Sequence, residues 1–264
     1  KGGVYDIGYI VPSLESETEL FPLTIGELPF ALSDPIHHMN VLTKFHEKYT
    51  VDAFDGVTLM SISSSDPYQL VSKDPVKSVE DVKNKKINAI GETSINLVNS
   101  WGGVPVTLEL GSIYEGLEKG TLDQAIYPAI GSAGLSLYEV APYLIQIEST
   151  AMTLAYIMNT DALNSLPEDL HNIFVEELNP RLAELAAEVY KSEQEKNMEK
   201  FVSQGGEIIT LSEEELKSFI KPTKDMWSNW VNEANNRGYP GGEMMEYFQS
   251  LLEEEGVEVP FSGD

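Results

Sequence analysis

The chain has 264 residues, 42% of them hydrophobic, which allows one large or two ordinary domains with a substantial core and excludes a disordered polymer. Asp and Glu number 43 against 17 Lys and Arg, a formal charge of −26 that repels a phosphate backbone and argues against a nucleic-acid partner. The absence of cysteine removes disulfides, thiol catalysis and cysteine-ligated zinc, and no apolar run approaches the roughly 20 residues that cross a bilayer. No charged-then-apolar leader stands at Lys1, so an exported chain of this sequence is expected to have shed one already.

In chain order, Val4 to Ile10 reads as a buried strand, followed by a loop punctuated by Pro12, Pro22 and Pro29. Ser33 or Asp34 can cap a helix with Pro35 in its first turn, running to about Tyr49. Val57 to Ile62 and Tyr68 to Ser72 read as strands. Ser78 to Asp81 is a capping box; strand Lys86 to Ile90, helix Thr93 to Trp101 and strand Val104 to Leu108 follow. Ser112 to Glu115 is a second capping box, whose helix ends at Gly120. Gln124 to Ile130 and Thr153 to Met158 are strand-like. Alternating strands and helices predict an α/β fold with largely parallel sheets.

The last third differs. Pro167 to about Gln204 is helical for much longer than an average helix, and Asn179-Pro180 must kink it or divide it. After a strand at Glu207 to Leu211, two more helices run to Gly256, parted by Gly238-Tyr239-Pro240-Gly241-Gly242.

Catalytic constellations are missing. Adjacent His37 and His38 project about 100° apart on a helix and lack the spacing of a metal pair, so no metal and no cofactor is implied. Ser61 to Ser65 contains no nucleophile elbow. Trp101-Gly102-Gly103 has neither the lysine of a P-loop nor a dinucleotide spacing, and reads as a helix-to-strand turn. The acidic runs Glu213 to Glu215 and Glu253 to Glu255 read as solvated helix ends.

Three segments carry a resemblance to a known family. They are Ser78 to Ile87, then Gly102 to Val106 with Gly111 to Asp123, and Asn159 to Asp161 leading to Leu166-Pro167-Glu168-Asp169-Leu170. Together with Asp6-Ile7-Gly8 and the run Phe21 to Phe30, they resemble the solute-binding proteins of tripartite ATP-independent periplasmic (TRAP) transporters, the DctP-like family. The resemblance implies a two-lobed α/β fold of the periplasmic-binding-protein type II kind, with a long C-terminal helix. It places residues 1–65 and 154–193 in lobe one and 66–153 with 194–264 in lobe two. It also implies a periplasmic or extracellular location, a small organic solute as ligand, membrane permease subunits as partners, and no enzymatic activity. A sensor module or an assembly protein on the same fold are the alternatives.

Two departures from the family pattern stand out. The family's leading strand–helix–strand unit of lobe one has no counterpart before Asp6, which predicts an open sheet edge beside Val4 to Ile10 and self-association through it. The family arginine that clamps a ligand carboxylate is replaced by Asn88, and the family asparagine before proline by Tyr127 before Pro128. By this matching, Asn88, Tyr127, Tyr68 and Leu110 line the cleft, with Val11 or Pro12 closing from the other lobe. The ligand is then expected to be something other than a simple carboxylate.

Overall fold

The computed structural model of the chain describes residues 4–261. The strands are β1 Ile7–Ile10, β2 Val57–Ser64, β3 Tyr68–Ser72, β4 Lys86–Asn88, β5 Val104–Val106, β6 Gln124–Pro128, β7 Tyr143–Gln146, β8 Thr153–Asn159 and β9 Glu207–Thr210. The helices are α1 Pro35–Tyr49, α2 Glu92–Ser100, α3 Ile113–Glu118, α4 Ala129–Gly134, α5 Thr160–Asn164, α6 Glu168–Ile173, α7 Asn179–Ser203, α8 Glu213–Ile220, α9 Lys224–Asn236 and α10 Gly241–Glu254.

Two separate sheets result. The first has the order β1-β8-β2, and both of its ladders are antiparallel. The second has the order β5-β4-β6-β3-β7-β9, parallel at β5-β4-β6 and β7-β9 but antiparallel on both sides of β3. The expectation of largely parallel sheets is therefore corrected. The chain leaves the first sheet through β2, enters the second through β3 and returns through β8. Each returning strand inserts between strands that run the other way.

Local chemistry explains the elements that the sequence made legible. Asp34 Oδ1 accepts the Ile36 N–H at 2.8 Å and that of His37 at 3.4 Å, capping α1 with Pro35 in its first turn. Val41, Leu42 and Phe45 then form the buried stripe of α1. Asp81 Oδ2 accepts the N–H groups of Lys77 and Ser78, but the box opens a short 3-10 turn rather than an α-helix. At Asn179-Pro180 the helix neither divides nor takes a cap. A π-turn over Phe174–Leu178 joins α6 to α7 and Asn179 is itself helical, because a wider turn accommodates the ring and missing N–H of Pro180.

The cores show how the lobes are assembled. In lobe one, α1 packs on β2 while Trp227, Trp230, Met244, Phe248, Leu251 and Leu252 from α9 and α10 complete a core with Phe21, Leu42 and Phe45. Placing all of 194–264 in lobe two is therefore corrected. Phe201 and Phe219 bury in lobe two, but α9 and α10 return to lobe one, drawn by their apolar stripes. Helix α7 braces both lobes, with Lys191 at its middle paired to Asp34 and Phe201 near its C-terminal end buried in lobe two.

Val4 to Ile10 is the other correction. Strand β1 spans only Ile7–Ile10 and lies at the sheet edge, paired with β8 alone among the described residues. Ile7 is 54% and Tyr9 64% exposed, so the stretch is not buried. Ile10 packs against the lobe-one core and Tyr9 meets Tyr156, while the outer backbone edge of β1 has no strand partner among the described residues.

Candidate functional site

The lobes meet where two extended segments cross between them. The Tyr68 N–H donates to Thr150 O at 2.7 Å and the Ser149 N–H to Tyr68 O at 3.0 Å, while the Ser65 N–H donates to Met152 O at 2.9 Å. These bonds tie the two crossings into one ribbon. Gln69 Oε1 accepts the N–H groups of Ile147 and Glu148, each at 3.0 Å, fixing the end of β7 where the ribbon begins.

Against this ribbon lies Glu27, from the proline-punctuated loop of lobe one, only 5% exposed. Its Oε1 accepts the Thr153 N–H at 3.1 Å and its backbone carbonyl accepts the Thr150 hydroxyl at 2.8 Å. Burial pushes the Glu27 carboxyl up to about 7, against the weaker opposing pull of the Ser13 hydroxyl and the Thr153 amide. Asp66, on the other crossing segment and 2% exposed, is pushed up to about 6 by burial although it accepts the Ile130 N–H at 3.0 Å. Two deeply buried carboxyls therefore flank the crossing, and neither has a basic partner among the described residues.

Two connected hollows open beside Glu27. The inner one lies between Leu14 and Ser13 of lobe one and Tyr68, Gly91 and Thr93 of lobe two. Gly91, at φ +82°, brings the backbone before α2 opposite Leu14 and would meet Leu14 Cδ2 at 4.0 Å if it carried a Cβ. The outer cavity, about 750 Å³, is bounded by the loop of lobe one, by α2 of lobe two and by α9. Glu27 lines both.

The residues singled out from the sequence fall unevenly on this geometry. Tyr68 lines the inner hollow, and burial followed by the Glu27 charge raises its phenol above the ordinary range. Tyr127 stands at the carboxyl end of β6, on the opposite face of the sheet from Tyr68, with its ring so close to Gly131 that a Cβ there would meet Cε1 at 2.3 Å. It lines neither hollow; burial and then the Asp66 charge raise its phenol. Asn88, at the carboxyl end of β4, is fully buried: Oδ1 accepts the Leu108 N–H at 3.1 Å, and Nδ2 has no hydrogen-bond partner among the described residues. Leu110 is 54% exposed on the turn before α3 and lines neither hollow. Val11 precedes the 3-10 turn Pro12–Glu15 and lines neither hollow, whereas Ser13 and Leu14 of that turn line the inner one.

Glu27 and Asp66 were not singled out. The available signal was a lone acid inside the apolar run Phe21 to Leu32, and another directly after the serine run ending at Ser65. The adjacent histidines do diverge: His37 Nδ1 lies 3.1 Å from Glu255 Oε2, while buried His38 places Nε2 2.9 Å from the Thr153 hydroxyl. Burial holds His38 at about 3, so it is neutral.

Comparison with known proteins agrees with this architecture. The ectoine-binding periplasmic protein TeaA of Halomonas elongata is 24% identical over 200 residues, 75% of this chain and 58% of the relative. The chain thus matches less than two thirds of that relative's length. A TRAP solute-binding protein from Rhodoferax ferrireducens, crystallised with copurified benzoate, superposes with TM-score 0.87 at 19% identity, covering 96% of this chain and 80% of that one. A TRAP periplasmic solute-binding protein from Desulfovibrio salexigens gives 0.86 at 22% identity, over 98% and 81%. The structure of the ectoine-binding protein of the Halomonas elongata TeaABC transporter gives 0.78 at 20% identity, over 96% and 83%. These likenesses show the two-lobed fold. Residues 1–234 match the model of the bacterial extracellular solute-binding proteins of family 7, and the chain belongs to that family.

Proposed function

We propose that this chain is the solute-capturing component of a TRAP transporter: it binds a small organic molecule between its lobes outside the cytoplasm and hands it to membrane permease subunits. The observation that supports this most directly is the cavity of about 750 Å³ bounded by both lobes beside the crossing ribbon, in a chain of this family. Binding without turnover is the reading that membership of this family supports. Function then lies in differential affinity, since a ligand that touches both lobes favours the closed arrangement that a permease can read. Residues 66–153 with 194–220 would move as one body against the remainder, and the crossings 64–68 and 147–153 would flex.

Native mass spectrometry of gently purified protein tests this. The expected result is a bound small molecule released on denaturation, returned intact after incubation with the refolded protein. Recovery of no solute from preparations in several growth media, or of a chemically altered one, would overturn the reading.

The open edge of β1 supports a second property, association of copies through that strand. Light scattering on a dilution series is expected to show a mass above 29.2 kDa that falls on dilution. Tyr9→Lys should lower it further, and a concentration-independent monomer would remove the proposal.

A further inference from the structure

We propose that the cleft takes an organic ammonium ion, a compact amine or quaternary ammonium whose charge sits against Glu27. This deepens the solute-binding reading and rests on it. Glu17, Glu27, Glu92, Asp225 and Glu233 line the outer cavity, and Arg237 is its one basic side chain among the described residues. Arg237 is already engaged: Nε donates to Glu233 Oε1 at 2.7 Å, Nη1 to Ser16 O at 2.6 Å and Nη2 to Glu17 Oε1 at 3.2 Å, with the guanidinium 4.4 Å from the Phe21 ring centre. It neutralises the rim acids that hold it and offers no free fork to a carboxylate. Glu27, Glu92 and Asp225 remain without a basic partner among the described residues.

Aromatic surfaces complete the arrangement. Phe21 and Trp230, stacked with ring centres 5.4 Å apart, line the outer cavity, and Tyr68 lines the inner hollow beside Glu27. With Phe21 already held between Trp230 and Arg237, Tyr68 and Trp230 are the rings left to an ammonium group, which gains from a ring's negative face and, above pH about 7, from the charge of the acid. An anion meets the opposite field. It would lose its hydration next to a buried carboxylate, with no cation or free guanidinium to replace the water. Position 88 offers no rescue at this cavity, because Asn88 is fully buried and lines neither hollow. The inner hollow by itself holds only about 10 Å³, so the bulk of a ligand must lie in the outer cavity, with closure bringing Leu14 and Gly91 over its charged end.

The test is a thermal-shift and calorimetric screen of the full chain with three sets of probes. The first set is choline, tetramethylammonium and 1,4-diaminobutane; the second is benzoate, succinate and D-glucuronate; the third is neutral polyols. At least one ammonium probe is expected to raise Tm by about 5 to 10 °C at a hundred times its Kd, while the carboxylates leave Tm unchanged. Glu27→Gln should weaken that probe by about tenfold or more, since it removes the buried charge and keeps the shape. Should Glu27→Gln alter the circular dichroism, the pair Glu92→Gln with Asp225→Asn, both on exposed helix positions, carries the test through a several-fold loss that high salt abolishes. Carboxylate or polyol binding without ammonium binding would overturn the proposal and leave the solute-binding reading standing. No binding in any set would also overturn it, whereas the solute-binding reading falls only if native preparations release no small molecule.

Discussion

Glu27→Gln is expected to raise the melting temperature at pH 8 and to leave it unchanged near pH 4.5. Burial lifts this carboxyl from the ordinary 4.5 to about 7, so between those values the folded chain keeps a proton that the unfolded chain releases. Stability from this group is therefore full below pH 4.5, declines as pH rises toward 7 and stays low above it. A difference of about 2.5 pH units corresponds to roughly 3 kcal/mol at pH 8. Glutamine removes that cost and keeps an oxygen to accept the Thr153 N–H. Asp66, lifted from 3.8 to about 6, acts with the same sign over a lower window and is untouched by the substitution. Melting curves of both proteins from pH 4 to 8.5 check this. Curves that stay parallel across the range would show that Glu27 is ionised throughout. His38 and Tyr68, the titratable neighbours beside Glu27, hold their neutral forms in this range because burial lowers the first and raises the second.

Trp101→Ala is expected to destabilise the chain by about 3 to 5 kcal/mol, a fall of about 10 °C in Tm. Trp101 is 1% exposed, packs edge-on against Phe219 at 5.3 Å and donates its indole N–H to Phe219 O at 2.9 Å. It ties α2 to α8, two elements far apart in sequence that share one core of lobe two. Truncation leaves a large cavity and strips a buried carbonyl of its donor. Trp101→Phe refills most of the space and removes only the hydrogen bond, so its loss should be less than half as large. Urea unfolding followed by tryptophan fluorescence and by circular dichroism measures both. Separate transitions for the two probes are expected in the alanine variant, because lobe one keeps Trp227 and Trp230 in an undisturbed core. A loss below about 1 kcal/mol would mean that lobe two repacks around the gap.

Local patterns were sufficient for much of the chain. Asp34-Pro35 started α1, the apolar runs Tyr68 to Ser72 and Thr153 to Met158 became strands, and the turn at Trp101-Gly102-Gly103 was a turn. These features depend on neighbours within a few residues: a carboxylate over free amides, a short run of strand-forming residues, a glycine at φ +75°. The family was legible from its motifs, and the two-lobed fold followed from that resemblance. Tertiary structure decided the rest. Whether Val4 to Ile10 was core or edge depended on what lies over it, and apolar residues alone do not say. Strand direction in the second sheet depended on where the chain crosses between lobes, and the fate of α9 and α10 on which core had room for Trp227 and Phe248. Which way Asn88 and Leu110 point was also a tertiary matter: Asn88 is buried on the Leu108 amide and Leu110 faces solvent. Glu27 shows the limit most clearly. In sequence it is one acid among 43, and only the fold places it beneath Tyr68, on the Thr153 amide and at the wall of both hollows. A carboxyl's chemistry is set by the water it loses and the hydrogen-bond donors it keeps, and for Glu27 those donors arrive from Ser13 and Thr153, far apart along the chain.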